Sequence, residues 1–566
     1  MKFREFAIYL EKLEKTASRL EITRILSEFL EKSSSDEVDK AVYLSLGFLA
    51  PGYKGVILNL AEKMMIRILA KTYGVPEADV LKEYKKLGDV GDVAQQLAAR
   101  SRIPGANLSI TEVYEKLLAV AADTGGGSQE RKIESIALLL GALDPQSVRF
   151  VARIPIGRLR LGFSSKTVID ALSQAFALES SKIEEAYNIR PDIGYIAKLV
   201  KEKNLNEAKP EIGVPVVPML AQRLNSPSEM IKKMGEVAVE PKFDGLRIFI
   251  HYRRKPSELK IFTRNMNLID INTFPELKEV GKYIKVNEVI LDTEAIGVDP
   301  KREMFLDFQK TIQRRRKHAV EKTAFEIPLQ FQVFDILLVD GRGLIEAPYR
   351  ERRKELERAV INGGLLKIDE STITQDPGEI KRLHEKYLKM GLEGVVVKKA
   401  GAPYVSGRTG WNWVKMKEAE GRTGKLSDTV DCVIMGYSTG KGKRVGFGMG
   451  QFLAGIKDGD LYKTVTKVGT GLTDEQFREL KARLKEIAVG KKPGEYEVNK
   501  DLYPDFWVEP GVVVELAADE ITVSPKHSAG LALRFPRLVK FRDDKRADQT
   551  TTIPELKEIA RLQKKS

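Results

Sequence analysis

The chain has 566 residues, 42% of them hydrophobic and 31% charged, which supplies material for several cores and is too long for one. Its formal net charge of +14 gives a field that favours polyanions, nucleic acid first and an acidic membrane surface second. The single cysteine, Cys432, excludes intramolecular disulfides and a four-cysteine zinc site, and four histidines leave little scope for histidine-rich metal chemistry.

The opening "MKFREFAIYLEKLEK" is charged throughout and reads as an amphipathic helix, not as a signal peptide. The longest apolar run, near "SIALLLGAL", is too short to cross a bilayer. A reducing, internal compartment is expected, and high charge with almost no cysteine is compatible with a thermophilic source. Apolar residues recur at three- and four-residue spacing from Met1 to about Pro210, with "EKSSSDE", "SRIPGANLS" and "DTGGGSQER" as loops. The proline-rich "KPEIGVPVVPML", Lys209 to Leu220, cannot continue a helix and reads as a linker.

Beyond the linker the period falls to 2. "LRIFIHY", "NEVILDTEAIGV", "QFQVFDILLV" and "EGVVVK" read as strands, with helical patches "KREMFLDFQKTIQRRRKHAVEK" and "YRERRKELERAV" between them. A second shift comes at the polar "KEAEGRTGKLSDT". It is followed by "VDCVIMGY", the hairpin "FLAGIKDGDLYKTVTKV", the helix "TDEQFRELKARLKEI" and the strands of "GVVVELAADEITV", the pattern of a small barrel. The last segment, "IPELKEIARLQKK", reads as a helix. Three domains are expected: all-α over 1–215, α+β over 216–419, and a β-barrel of the OB-fold type with a C-terminal helix over 420–566.

Within "VAVEPKFDGLRIFIHY" a lone lysine, Lys242, ends an apolar strand just before an Asp-Gly turn, with Arg247 five residues on. A lysine is a nucleophile only when its amine is deprotonated, which burial or nearby positive charge promotes. A solvated surface lysine is the alternative. Asp292 and Glu294 in "VILDTEAIGV" lie two apart and share a strand face, where buried carboxylates need cations or partners. Glu393 opens "EGVVVK". On adjacent strands, Glu294 and Glu393 offer a divalent metal its hard-oxygen ligands; ion pairing with lysine or arginine is an equal alternative.

In "WNWVKMK" a period of 2 puts Trp411, Trp413, Lys415 and Lys417 on one face. Two lysines there repel unless an anion such as phosphate lies between them or the strand end emerges into water. The C-terminal run Arg534, Arg537, Lys540, Arg542, Lys545 and Arg546 is interleaved with Leu533, Phe535, Leu538 and Phe541, which favours a structured phosphate-binding surface over a solvated face.

Taken in order, "EPKFDGLR", "TRN", "LDTEAIG", "VFDIL", "EGVVVK", "WNWVKMK" and "RFPRLVKFRDDK" resemble the motif series of the covalent nucleotidyltransferases, and in detail the ATP-dependent DNA ligases of the archaeal and eukaryotic replicative type. "VEPGVVVELAADEITVSPKH" matches the family's barrel, and "IPIGRLRLGFSSKTVIDAL", Ile154 to Leu172, looks like a signature of its helical DNA-binding domain. The resemblance covers most of the chain and implies that Lys242 attacks the α-phosphate of ATP. It implies that Glu240 accepts a hydrogen bond from the adenine amine, that Phe334 stacks on the base, and that Arg247, Arg264 and Arg408 contact the sugar, a phosphate or the nick. Glu294 would reach the ribose or a metal and Glu393 would hold Mg²⁺, with Mn²⁺ as the alternative ion. Lys415 would neutralise the α-phosphate, helped by Lys417.

The resemblance further implies a monomer that works on nicked duplex DNA inside the cell, in the cytoplasm at the nucleoid, with no membrane partner. Arg158 and Arg160 would grip the duplex backbone, and Arg534 and Arg537 would belong to the segment that covers the phosphates. A sliding-clamp partner is expected from function alone, because the loop "ARSRIPGANLSITE" lacks the glutamine-led, aromatic-ended clamp motif of related enzymes. An RNA ligase or capping enzyme, or a silent DNA-binding scaffold, are the alternative readings. An NAD⁺-dependent ligase is disfavoured, since its zinc module needs four cysteines.

Overall fold

The structure is a computed structural model. It describes residues 1–299 except 17, 102–104, 158, 160 and 225; then 305, 306, 311, 314, 324–407, 410–417, 428–439, 449–469, 472, 474–518 and 520–563. Two compact units emerge, Met1–Lys415 and Met416–Ser566.

Twelve α-helices are described between Phe3 and Glu202. Their ends follow local chemistry. Ser109 and Glu112 form a reciprocal capping box at the helix Ile110–Ala122, and Asp144 accepts the first free N–H groups of Pro145–Val151. Their apolar stripes close on one core that includes Phe3, Phe6, Phe29, Phe150, Leu172 and Ile196. Gly194 lies so close to Tyr43 that a Cβ there would sit 2.4 Å from the ring, so glycine is what lets the two helices approach.

The same unit then turns to β structure. Its strands are β1 (Gln222–Arg223), β2 (Val237–Lys242), β3 (Leu246–Arg253), β4 (Glu258–Thr263), β5 (Leu268–Ile269), β6 (Glu288–Gly297), β7 (Leu329–Val339), β8 (Arg342–Gly343), β9 (Leu366–Ile368), β10 (Thr372–Thr374), β11 (Gly394–Lys399) and β12 (Trp413–Lys417). They form two sheets. One has the order β1-β12-β11-β2-β10, and the other β5-β4-β3-β6-β7-β8, with β9 also paired to β7.

The second sheet is buried on both faces, as its near-continuous apolar strands require. Alternation sends Ile248, Ile250, Leu291 and Val333 to a core closed by the helix Tyr349–Ala359. Phe249, Phe262 and Ile290 go to the other face, covered by Ile212, Val214, Val216 and Met219 of the proline-rich segment. That segment is therefore a packed cover for the sheet as well as a connection.

Three expectations need correction. Glu393 precedes β11 by one residue instead of opening it. Glu294 on β6 and Glu393 before β11 belong to different sheets, so they are not on adjacent strands. Trp411 sits in the turn before β12, so the shared face begins at Trp413. The helical patch expected over 301–322 lies almost wholly outside the described residues.

In the second unit β13 (Val430–Ser438) pairs with β14 (Gln451–Asp458), which pairs with β15 (Leu461–Val468). Other parts of β13 pair with Val513–Ala517 and Phe506–Val508, so the sheet curves into a half-barrel around Val430, Ile434, Phe452, Val465 and Val514. The helix Ile553–Gln563 docks onto this core through Leu556, and Lys457 bridges to Thr552. Cys432 is buried in the same core, which pushes its thiol well up and leaves it a small apolar residue.

Candidate active site

β2 runs buried from Val237 to Pro241 and emerges at Lys242. There the chain turns through Phe243 and Asp244 into β3. Gly245 closes the turn because nothing larger fits: a Cβ would meet the carbonyl oxygen of Ala295 at 2.4 Å. Its N–H donates to Glu294 Oε1 at 3.2 Å, which ties the turn to β6. On the other side β11 runs antiparallel to β2, with Gly394 opposite Lys242 and Val396 opposite Glu240. The Glu393 N–H donates to the Lys242 carbonyl at 3.0 Å, and Lys242 Nζ lies 2.5 Å from Glu393 Oε2. Both side chains keep 21% exposure, so the amine is lodged between carboxylates yet open to a ligand.

Burial raises the Glu294 carboxyl to about 7, against the pull of Lys242 and Arg247. Lys242, the lone lysine at the end of an apolar strand, is thus fixed by backbone pairing with the start of β11. It stands where the two sheets meet, with one carboxylate from each.

Phe334 is placed by a β-bulge. Asp292 pairs with Asp335 and Thr293 with Val333, so Phe334 is the extra residue that the ladder skips. Its ring meets Trp413 edge-on at 6.1 Å. Lys398, only 1% exposed, is held against these rings, its Nζ 4.5 Å from the Trp413 centroid, 5.0 Å from Phe334 and 5.1 Å from Tyr349. It donates to the Phe334 carbonyl at 2.7 Å and pairs with Glu240 Oε2 at 2.6 Å. Tyr349 donates its hydroxyl to Glu240 Oε1. Asp335 is fully committed to Arg352 through bonds of 2.7 and 3.0 Å. Sequence reasoning missed Lys398, Tyr349, Arg353 and Asp369 around this pocket. A lysine inside "VVVKK" and paired arginines in an otherwise amphipathic helix were the signals available.

Arg247 is engaged below. It forks onto the fully buried Asp292 at 2.9 and 2.7 Å, donates to the Met219 carbonyl at 2.7 Å, and reaches the Tyr404 hydroxyl at 3.2 Å. This is the partner that Asp292 needed. The same guanidinium lies 5.4 Å from the Phe334 centroid, so it also backs the aromatic pocket.

The remaining predicted residues are scattered. Arg264 follows β4 and its charge acts on Glu294. Lys415 is on β12 opposite Arg223, its carbonyl accepting from Leu224 N–H at 3.2 Å. Lys417 is on β12, but its side chain lies outside the described residues, as do Arg158, Arg160 and Arg408.

In the second unit Arg534 ends the strand Leu531–Arg534 exposed, and Arg537 begins Arg537–Phe541 half-buried. Between them Phe535 is 70% exposed with φ of 53°, a left-handed conformation that a bulky residue adopts only at a cost. Of the rest of that run, Arg542 and Lys545 turn inward, while Arg546 stays exposed and pairs with Asp548. Arg542 pairs with Asp431, Glu515 and Asp544, and Lys545 with Asp431.

Among the described residues no three His, Cys, Asp or Glu side chains converge as a ready cage. Two carboxylates, Glu393 paired with Lys242 and Glu294 acting on it through its charge, fit Mg²⁺, which takes one or two protein carboxylates and completes its shell with other oxygens and water.

Three family models match the chain: "DNA ligase N terminus" over 2–173, "ATP dependent DNA ligase domain" over 218–417 and "ATP dependent DNA ligase C terminal region" over 446–545. The chain is similar to a "Probable DNA ligase" of Dictyoglomus turgidum, 40% identical over 582 residues that cover 100% of this chain and 98% of the relative. It is also similar to a "DNA ligase" of Pyrobaculum arsenaticum, 36% identical over 100% of this chain and 99% of that one. Among solved structures, the mycobacterial DNA ligase D complexed with ATP and MES is 24% identical, over 59% of this chain and 97% of that one, at a TM-score of 0.35. With family models of the DNA ligase N terminus, central domain and C-terminal region matched in this order and a relative 40% identical over 100% of the chain, the chain belongs to the ATP-dependent DNA ligases.

Proposed function

We propose that the chain seals nicks in duplex DNA through an adenylated Lys242, in replication, repair and recombination. The observation that carries this reading is the placement of Lys242 Nζ, 2.5 Å from Glu393 and open at a site walled by Glu294 and the aromatic pocket of Phe334. Lys242 attacks the α-phosphate of ATP; an N–P bond forms and pyrophosphate leaves. AMP then passes to the 5′-phosphate of the nick, and the 3′-hydroxyl attacks that phosphate and expels AMP. Catalysis of this kind is alignment and charge stabilisation more than covalent chemistry.

The fixed backbone bond between Glu393 and Lys242 holds the nucleophile in register with β11. Phe334 stacks on adenine, and Glu240, held by Lys398 and Tyr349, accepts a hydrogen bond from the adenine amine. Arg247, Arg264 and Arg408 serve the sugar, a phosphate or the nick, while Lys415 and Lys417 take up phosphate charge. Glu294 and Glu393 would hold Mg²⁺, or Mn²⁺, which neutralises phosphate charge when bound. Residues 1–215 grip the duplex with Arg158 and Arg160, 216–419 carry adenylation, and 420–566 bring Arg534 and Arg537 to the phosphates. The enzyme is read as a cytoplasmic monomer at the nucleoid, with a sliding clamp as partner.

The test is incubation with Mg²⁺ and α-phosphate-labelled ATP, followed by nicked duplex, with Lys242→Ala as control. Label retained by the wild type alone and released as the nick closes supports the reading. Sealing by the variant contradicts it.

A further inference from the structure

The proline-rich segment is fastened along its length to both of the regions that it joins. Pro210, Pro215 and Pro218 each fix φ and stiffen the extended chain. From Ile212 to Met219 every residue is buried except Gly213 and Val217, which are half-buried. Both of these commit their N–H to a neighbour. Gly213 donates to His251 Nδ1 on β3 at 3.2 Å, and Val217 donates to the Asn188 carbonyl of the helical region at 2.8 Å. Further along, the Met219 N–H donates to the Tyr404 hydroxyl at 2.9 Å and the Leu220 N–H to the Gly407 carbonyl at 2.8 Å. The anchors thus come from the sheet on one side and from the helices on the other.

The helical side supplies a latch. Tyr53 is 6% exposed and belongs to the same buried cluster as Ile212, Val214 and Val216, while its hydroxyl donates to Asp192 Oδ2 at 3.3 Å. Asp192, itself buried, accepts the Tyr43 hydroxyl and caps the helix Ile193–Glu202 through the Tyr195 N–H at 3.1 Å, which ties Tyr53 to the helical core. Arg190 pairs with Glu211 where the segment begins, and its guanidinium lies 4.1 Å from the Tyr195 ring centroid. A segment held in this way cannot bend as a hinge without exposing apolar area and breaking several backbone bonds.

We propose that residues 211–220 are a rigid strut, and that Tyr53 and Arg190 are positioning residues that fix, before DNA binds, where the helical region stands relative to Lys242. The inference rests on the reading that Lys242 is adenylated and passes AMP to a nick. Adenylation needs only the nucleotide and the two sheets around it. Transfer also needs the 5′-phosphate of the nick brought to the lysine-bound AMP. Holding the two regions in place beforehand removes an ordering cost from the second step alone.

The test uses the full-length protein as wild type, Arg190→Glu, Glu211→Arg, the double variant with both changes, and Tyr53→Leu. Two rates are read: lysine adenylation by labelled ATP and Mg²⁺ without DNA, and single-turnover transfer of that AMP to saturating nicked duplex. Each charge reversal should slow transfer about 3- to 10-fold, because repulsion replaces a coupled pair, and the double variant should return to within about twofold of wild type. Tyr53→Leu, which keeps an apolar body without the hydroxyl, should slow transfer in the same selective way. Adenylation should be unchanged in all four, since His251, Tyr404 and Gly407 still hold the sheet side of the strut. In the free wild type, amides of 211–220 should exchange hydrogen as slowly as those of β3.

The proposal is overturned if 211–220 exchanges at the rate of an unstructured chain, if the reversals transfer at the wild-type rate, or if the double variant stays as slow as either reversal. Variants that slow adenylation and transfer alike would mark residues that only maintain the fold, and would overturn it too. Wild-type protein that takes no label from ATP would instead sink the adenylation reading on which it rests.

Discussion

Replacing Asp292 by alanine leaves Arg247 as a buried guanidinium without its counter-charge. Asp292 is 0% exposed and supplies both acceptors of the fork at 2.9 and 2.7 Å, while Met219 and Tyr404 provide only neutral partners. Breaking a buried pair from one side costs about 3–5 kcal/mol, consistent with two charge-assisted bonds of about 1.5–3 kcal/mol each. That is a large share of the total stability of a domain, about 5–15 kcal/mol. Guanidinium unfolding followed by tryptophan fluorescence reads it directly, because Trp413 packs against Phe334 in the same cluster. The double variant Arg247→Met with Asp292→Leu removes both charges and should recover most of the loss. It should nevertheless adenylate Lys242 poorly if Arg247 also serves the nucleotide. A cost below about 1 kcal/mol for Asp292→Ala, or a double variant no more stable than the single, would refute the pairing argument.

Phe334→Ala removes the stacking face and should raise the KM for ATP by about 5- to 150-fold, the equivalent of about 1–3 kcal/mol of base stacking, in a steady-state adenylation assay. Gly245→Ala forces a methyl against the Ala295 carbonyl and breaks the bond to Glu294; it should cost about 1–3 kcal/mol in denaturant unfolding and slow adenylation. His251 is fully buried, accepts the Gly213 N–H at 3.2 Å, and is driven down to about 3 by desolvation, from an ordinary value of 6.5. Below pH 6.5 the unfolded chain therefore binds a proton that the folded chain refuses, and stability falls as pH drops towards 3. Its contribution is a loss of about 2 kcal/mol between pH 7 and 5, and the difference in unfolding free energy between those pH values should shrink by that amount in His251→Asn.

Much of this architecture was legible in the chain because periodicity reports burial. The strands "LRIFIHY" and "QFQVFDILLV" alternate between two covered faces, and β3 and β7 follow them closely. Lys242 was legible too, as a charge at the end of an apolar run. What the letters hide is pairing across sequence distance. Nothing local says that Arg247 forks onto Asp292, 45 positions away, or that Glu393 and Glu294 reach Lys242 from different sheets. Nor does period 2 reveal a bulge: Phe334 faces its pocket because the ladder skips it, and Trp411 falls outside the strand because the chain turns there. The basic run at the C-terminus hides the same kind of pairing, since Arg542 and Lys545 find Asp431 about 110 residues back. Asp369 carries no motif at all; only its burial draws notice.

The central claim is that Lys242 carries the nucleotide between ATP and the nick. The direct measurement is to treat the protein with ATP and Mg²⁺, digest it, and locate AMP by peptide mass, before and after a chase with nicked duplex. The account predicts AMP on Lys242 alone, lost in the chase as sealed strand accumulates. AMP on any other residue, or sealing that proceeds with Lys242 unmodified throughout, would contradict it.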